Sequence, residues 1–149
     1  MRFEHKVTIA APRERVWAFL MDVPAVGRCV PGVESVEALG DDQYQGTMKV
    51  RVGPIGLTLQ GKLGIVEQDA TGGRATLRAE AADRRVGGGV HATMTMQVVD
   101  QGQQATELTV TTDASMLGRL GEFGMPVIRK KADQTMEEFA RNVQRAIAG

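Results

Sequence analysis

From Phe3 to Ile9 apolar and polar residues alternate: Phe3, His5, Val7 and Ile9 fall on one side of an extended chain, Arg2, Glu4, Lys6 and Thr8 on the other. A period of two predicts a half-buried strand, with His5 turned inward near its end. At Pro12 the spacing changes. Proline suits the first turn of a helix, where its missing N–H removes no bond. Val16, Trp17, Phe19 and Leu20 give that short helix its apolar side. Pro24 is expected to end it, with a second helical piece running to Arg28 before Pro31-Gly32 turns the chain.

Between Val33 and Ala114 the period of two returns, broken by turn residues at Gly40-Asp41-Asp42, Gly53-Pro54-Ile55-Gly56, Ala70-Thr71-Gly72-Gly73, Asp83 to Gly89, and Asp100-Gln101-Gly102. These reversals predict six strands, and connections so short force antiparallel neighbours. With the first strand the sheet has seven. Its inner face is expected to carry Gly46, Met48, Val50, Val52, Leu57, Leu59, Gly61, Leu63, Ile65, Leu77, Ala79, Ala81, Val90, Ala92, Met94, Met96, Val98, Leu108, Val110, Thr112 and Ala114. Lys49, Arg51, Gln60, Lys62, Arg78, Glu80, His91 and Thr93 fall on the other side. One face is wet, and the other needs a cover.

The cover comes from the segment after Ser115, where Leu117, Leu120, Gly124, Ile128, Ala132, Thr135, Phe139, Val143 and Ala146 or Ile147 recur at helical spacing. Arg129, Asp133 and Glu137 are candidates for its outer side. Pro126 should either kink this helix or mark its start. From there to Ala148 it spans roughly 35 Å, enough to cross a sheet.

Composition narrows the class. The 149 residues suit one domain, 1–149, and Lys+Arg balance Asp+Glu at 18 each, so no net field draws nucleic acid. Cys29 is the one cysteine; a disulfide within the chain is excluded and a reducing cytoplasm is the simplest setting. The charged start Met1-Arg2-Phe3-Glu4-His5-Lys6 is unlike a secretory leader. No run approaches the ~20 apolar residues that span a bilayer.

In order, the segments are strand, two short helices, six-stranded meander and long closing helix. This resembles the helix-grip fold (α+β) of START lipid-transfer domains and the birch-pollen-allergen family. Local motifs go further. Ala11-Pro12-Arg13-Glu14-Arg15-Val16-Trp17, Arg28-Cys29-Val30-Pro31-Gly32-Val33-Glu34-Ser35, Val50-Arg51-Val52-Gly53-Pro54-Ile55, Leu59-Gln60-Gly61-Lys62 and Lys131-Ala132-Asp133-Gln134 resemble the CoxG family of carbon monoxide dehydrogenase accessory proteins, in order and over nearly the whole chain. That resemblance implies an accessory protein of molybdenum hydroxylases that accommodates a hydrophobic molecule, a quinone or a lipid, with no covalently bound cofactor. It also implies contact with the hydroxylase subunits and with the inner face of the cytoplasmic membrane. Many members carry a membrane-attaching C-terminal tail; here the sequence closes at Gly149, so any membrane contact is expected to be peripheral.

Small residues (Gly46, Gly61, Ala79, Ala81, Ala92, with Gly121, Gly124 and Ala132) and the flexible Met48, Met94 and Met96 suggest a hollow under the helix. The plainer alternative is that the glycines only bend the sheet and the methionines fill a dry core. The expected lining is Trp17, Met48, Val50, Leu59, Leu77, Ala92, Met94, Met96, Leu108, Leu120, Gly124 and Ile128. Trp17 is alternatively a core anchor of the first helix. Arg84, Arg85, Gly87, Gly88 and Gly89 are expected to form a mobile loop at the entrance. Catalysis and metal binding are not expected. The inner positions named above include no Asp, Glu, Lys or Tyr, leaving Thr112 and Thr135 as polar candidates, and a hydroxyl without a base is a poor catalyst. Cyclases share the fold, which keeps an enzymatic alternative open beside an assembly or recruitment role for the surface. Cys29 reads as a small hydrophobe rather than a nucleophile.

Overall fold

The computed structural model describes residues 1–102 and 104–148; the terminal Gly149 lies outside them. Seven strands, β1 (Arg2–Ile9), β2 (Val33–Gly40), β3 (Gln43–Val52), β4 (Ile55–Asp69), β5 (Arg74–Ala82), β6 (Gly88–Asp100) and β7 (Thr106–Gly118), form one antiparallel sheet. Its order is β1-β7-β6-β5-β4-β3-β2, so the first strand closes onto the last. The reversals are those of the turn residues. At the β2–β3 hairpin Asp41 and Asp42 both take positive φ, 53° and 59°, a conformation that aspartate tolerates better than most residues and that matches the twist of the strands.

Residues directly opposite in an antiparallel pair share a face. The register sets Met48 against Leu59, Ala79 against Ala92, Ala92 against Ala114, and Met94 against Thr112. The predicted inner positions therefore make one continuous surface. Two of its glycines do a different job from the volume expected of them. A Cβ on Gly61 would collide with the Glu80 carbonyl oxygen and lie 2.6 Å from Ala81 Cα; one on Gly46 would collide with the Ser35 carbonyl. They let adjacent strands close up where the sheet bends.

Three helices flank the sheet: α1 (Arg13–Met21), α2 (Val23–Gly27) and α3 (Met125–Ala148). Pro24 opens α2 rather than ending α1, because Asp22 caps the new helix by accepting from the Ala25 N–H at 3.3 Å. The closing helix also begins later than its spacing predicts. β7 runs on to Gly118, Leu120 sits in a 3-10 turn (Arg119–Glu122), and Gly121 and Gly124 precede α3. Pro126 is then the second residue of α3, where its missing N–H removes no helical bond.

The C-terminal end of α3 is pinned. Asn142 Nδ2 donates to the Cys29 carbonyl at 2.9 Å, the Ala10 N–H donates to Gln144 Oε1 at 2.7 Å, and Arg15 donates to the Ile147 carbonyl. Its apolar side buries Ile128, Phe139, Val143 and Ile147. The buried residues form two clusters rather than one. The larger joins Ile9, Val16, Leu20, Leu77, Met96, Val98, Leu108 and Val110 to Phe139, Val143 and Ile147. The smaller joins Phe3, Val52, Leu57, Leu120 and Ile128.

Candidate functional site

Between the two clusters lies a seam. Of the strands, β1 and β3 come nearest the backbone of α3, which also meets α1. Met48, Val90 and Met94 project from the inner face of the sheet, belong to neither cluster and remain half-buried. Yet Leu57, Met96 and Val98, inner residues of the same sheet, are 9% exposed or less. Methionine and valine thus stay less covered there than their neighbours on the same face. Closed packing resumes on both sides. The alanine row Ala79–Ala92–Ala114 crosses three strands beside it.

Of the expected lining, Met48, Ala92 and Met94 border this seam. Val50 and Leu59 stand half-buried on the flank of the smaller cluster. Leu77, Met96 and Leu108 are walled into the larger cluster instead, Leu108 completely, because α1 and the C-terminal half of α3 cap that end. Leu120 and Ile128 close the opposite end. Trp17 packs onto the larger cluster as an anchor of α1, and Gly124 is exposed ahead of α3.

The loop expected to be mobile is tied down. Gly88 and Gly89 already belong to β6. Asp83, 3% exposed, accepts from the Thr58 N–H at 2.7 Å through Oδ2, and from the Arg85 and Val86 N–H groups at 2.8 and 2.9 Å through Oδ1. Those backbone bonds hold its carboxyl below the usual carboxylate range. Arg85 reaches the Gly56 carbonyl at 3.1 Å, and the Arg119 N–H reaches the Gly87 carbonyl at 3.0 Å. Three neighbouring turns are thereby linked, and Val86 packs on the smaller cluster. Arg84 is exposed.

Two polar groups on the inner side escaped the sequence reading. Tyr44 faces inward opposite Leu63; following the alternation one step back from Gly46 finds it. Asp133, expected to face outward, meets His5 across the edge of the sheet, with Oδ1 2.8 Å from His5 Nε2. The residues are 128 apart in sequence, and no local pattern links them. The Asp133 side chain is 54% exposed and that of His5 16%, so the pair sits at the rim. Beside it Arg129 lies over the Phe3 ring, 5.2 Å from its centroid.

Elsewhere, His91 faces solvent beside Glu80. Among the described residues no cluster of His, Cys, Asp or Glu could hold a metal ion. Among the same residues no helix is long and apolar enough to cross a membrane. A broad, open depression of about 690 Å³ lies on the outer face, lined by Lys62, Arg78, Glu80, His91 and Asp113; it suits a polar surface rather than an apolar guest. A smaller one, about 520 Å³, lies between Phe19, Arg28, Cys29 and Asn142. Cys29 is buried, and loss of hydration raises its pKa against the opposing pull of Arg28. Iodoacetamide at mildly alkaline pH is therefore expected to alkylate the native protein at least about tenfold more slowly than the urea-unfolded chain, as intact mass would record.

Comparison with known proteins agrees with this architecture. The family model described as the carbon monoxide dehydrogenase subunit CoxG matches residues 6–148. No curated protein matches the chain. Among solved structures, a conserved protein from Geobacillus kaustophilus superposes with a TM-score of 0.90 at 20% identity, covering 99% of this chain and 95% of that one. A START superfamily protein from Mycobacterium smegmatis gives 0.71 at 14% identity, covering 99% and 97%. The Zhui aromatase/cyclase from a Streptomyces species gives 0.71 at 20%, covering 99% and 93%. At such identities the likeness is one of fold.

Proposed function

Because the chain belongs to the CoxG family, named for a subunit of carbon monoxide dehydrogenase, we propose that it binds an apolar molecule, a quinone or a lipid, in the seam between sheet and α3. In this reading it works in the cytoplasm as an accessory protein to a molybdenum hydroxylase of the carbon monoxide dehydrogenase type. The observation that carries the reading is the half-covered trio Met48, Val90 and Met94, which lies on the inner face between two closed clusters. Small-molecule sites are mostly apolar hollows with few polar groups, and methionine adapts its shape to a guest. Binding rather than catalysis is the role proposed, since the polar groups noted on the inner side are few and the His5–Asp133 pair lies at its rim.

Support for docking comes from the end where the three linked turns meet. Ile55, Leu117, Met125 and Val127 are large apolar residues exposed near there, beside Arg85 and Arg119. An apolar tip with a basic border suits a partner protein or, for peripheral contact, an anionic membrane surface. The ligand is tested by native mass spectrometry of freshly purified protein. A fraction heavier than the chain, released by organic solvent and identified as a quinone or lipid, is the expected result. A single apo mass under the gentlest conditions counts against the reading.

A further inference from the structure

The polar end of the guest can be read from His5. This residue stands on β1 between Phe3, in the smaller cluster, and Val7, packed on the larger. It therefore sits where the seam reaches the edge of the sheet. Opposite it is Val110 of β7, with Thr112 two residues on along the same face. The carboxylate of Asp133 can only accept, so the 2.8 Å contact places a proton on His5 Nε2. In the neutral ring the other nitrogen, Nδ1, is then a bare acceptor. It is buried and makes no hydrogen bond to any described residue.

A buried acceptor without a donor is costly, and folded proteins rarely leave one. Nδ1 is covered by protein as it stands, so a donor reaches it by displacing that cover. We propose that His5 is the polar anchor of the seam, and that the guest it selects is an apolar molecule ending in a hydrogen-bond donor: an alcohol, a phenol or the reduced, hydroxyl-bearing form of a quinone. This inference rests on the binding role proposed above and names the ligand class within it. Asp133 acts through His5 as a positioning residue: it fixes the proton of the neutral ring on Nε2, and so selects the tautomer in which Nδ1 is the acceptor. A ligand offering only ether or carbonyl oxygens presents a lone pair to a lone pair and leaves the cost in place.

Lauryl alcohol and its methyl ether test this as a pair, by isothermal titration against the wild type and His5→Phe. Phenylalanine keeps the ring and removes the acceptor. The wild type should bind the alcohol about tenfold more tightly than the ether, despite the ether's extra apolar carbon. In His5→Phe that preference should vanish while ether binding persists, which also shows the seam intact. Equal binding of both by the wild type, or a preference that survives in His5→Phe, overturns the role of His5 and leaves the apolar seam standing. Failure of the wild type to bind either probe overturns the binding role and this inference with it.

Discussion

Ala92→Phe should abolish most guest binding while leaving the protein folded. Ala92 projects from the inner face between Ala79 and Ala114, two residues from Met94 on β6. A phenyl ring there adds about six heavy atoms to the space below α3. If that space is open, the ring enters it without moving backbone. Decylubiquinone or a fatty acid followed by titration should then bind about a hundredfold more weakly, with Tm within about 3 °C of wild type. If sheet and helix were packed solid at this point, overpacking would cost about 1–3 kcal/mol and Tm would fall accordingly. Undiminished affinity would place the guest elsewhere. The same variant separates the two accessory roles. A hydroxylase that keeps its electron-transfer activity with the blocked protein needs the surface of its partner and not its contents.

The second large effect is expected at Asp83. Its two oxygens accept from the Thr58, Arg85 and Val86 N–H groups, and so join the start of β4 to the loop before β6. In Asp83→Asn one oxygen becomes an NH2 group that must face a donor. Tm should fall by roughly 5–10 °C, because a buried N–H loses its partner. The pH dependence has a definite sign. A carboxyl held below its usual range in the folded chain binds its proton more readily when unfolded. The stability it contributes is therefore complete above the ordinary carboxylate range and is lost as pH falls through the folded value. Thermal melts of wild type and Asp83→Asn should stand fully apart at neutral pH and converge in acid, where the protonated acid presents an O–H much as asparagine presents its amide. Curves that stay parallel down to acid pH would show that the carboxylate charge is not what holds the loop.

Much of the architecture was legible in the residues because strand alternation is a local signal. From Val33 onward each turn segment marked a reversal, although Gly40, Ile55, Gly56, Gly88, Gly89 and Asp100 belong to strand ends, and the register confirmed the inner face as a single surface. The errors came where local signals were ambiguous. Leu117, Leu120 and Gly124 keep helical spacing by coincidence, since they fall on a strand end, a 3-10 turn and the residue just ahead of α3. Pro24 could close one helix or open the next, and only the Asp22 cap decided it. Gly46 and Gly61 looked like volume removed from a core; their neighbours across the strands show that they permit close approach.

By itself the chain's pattern determined an antiparallel sheet with one apolar face, a long helix to cover it, and a preference for small and flexible side chains between them. Period, turn chemistry and residue size are all properties of neighbours in sequence. Only the tertiary structure decided where that covering is complete. Burial depends on what the bent sheet brings against α3: Leu108 is sealed while Met94, alike in character and on the next strand, is not. It also decided that His5 meets Asp133 and that Asp83 anchors three backbone N–H groups, because such pairings are set by distance through space, which alternation along the chain does not encode.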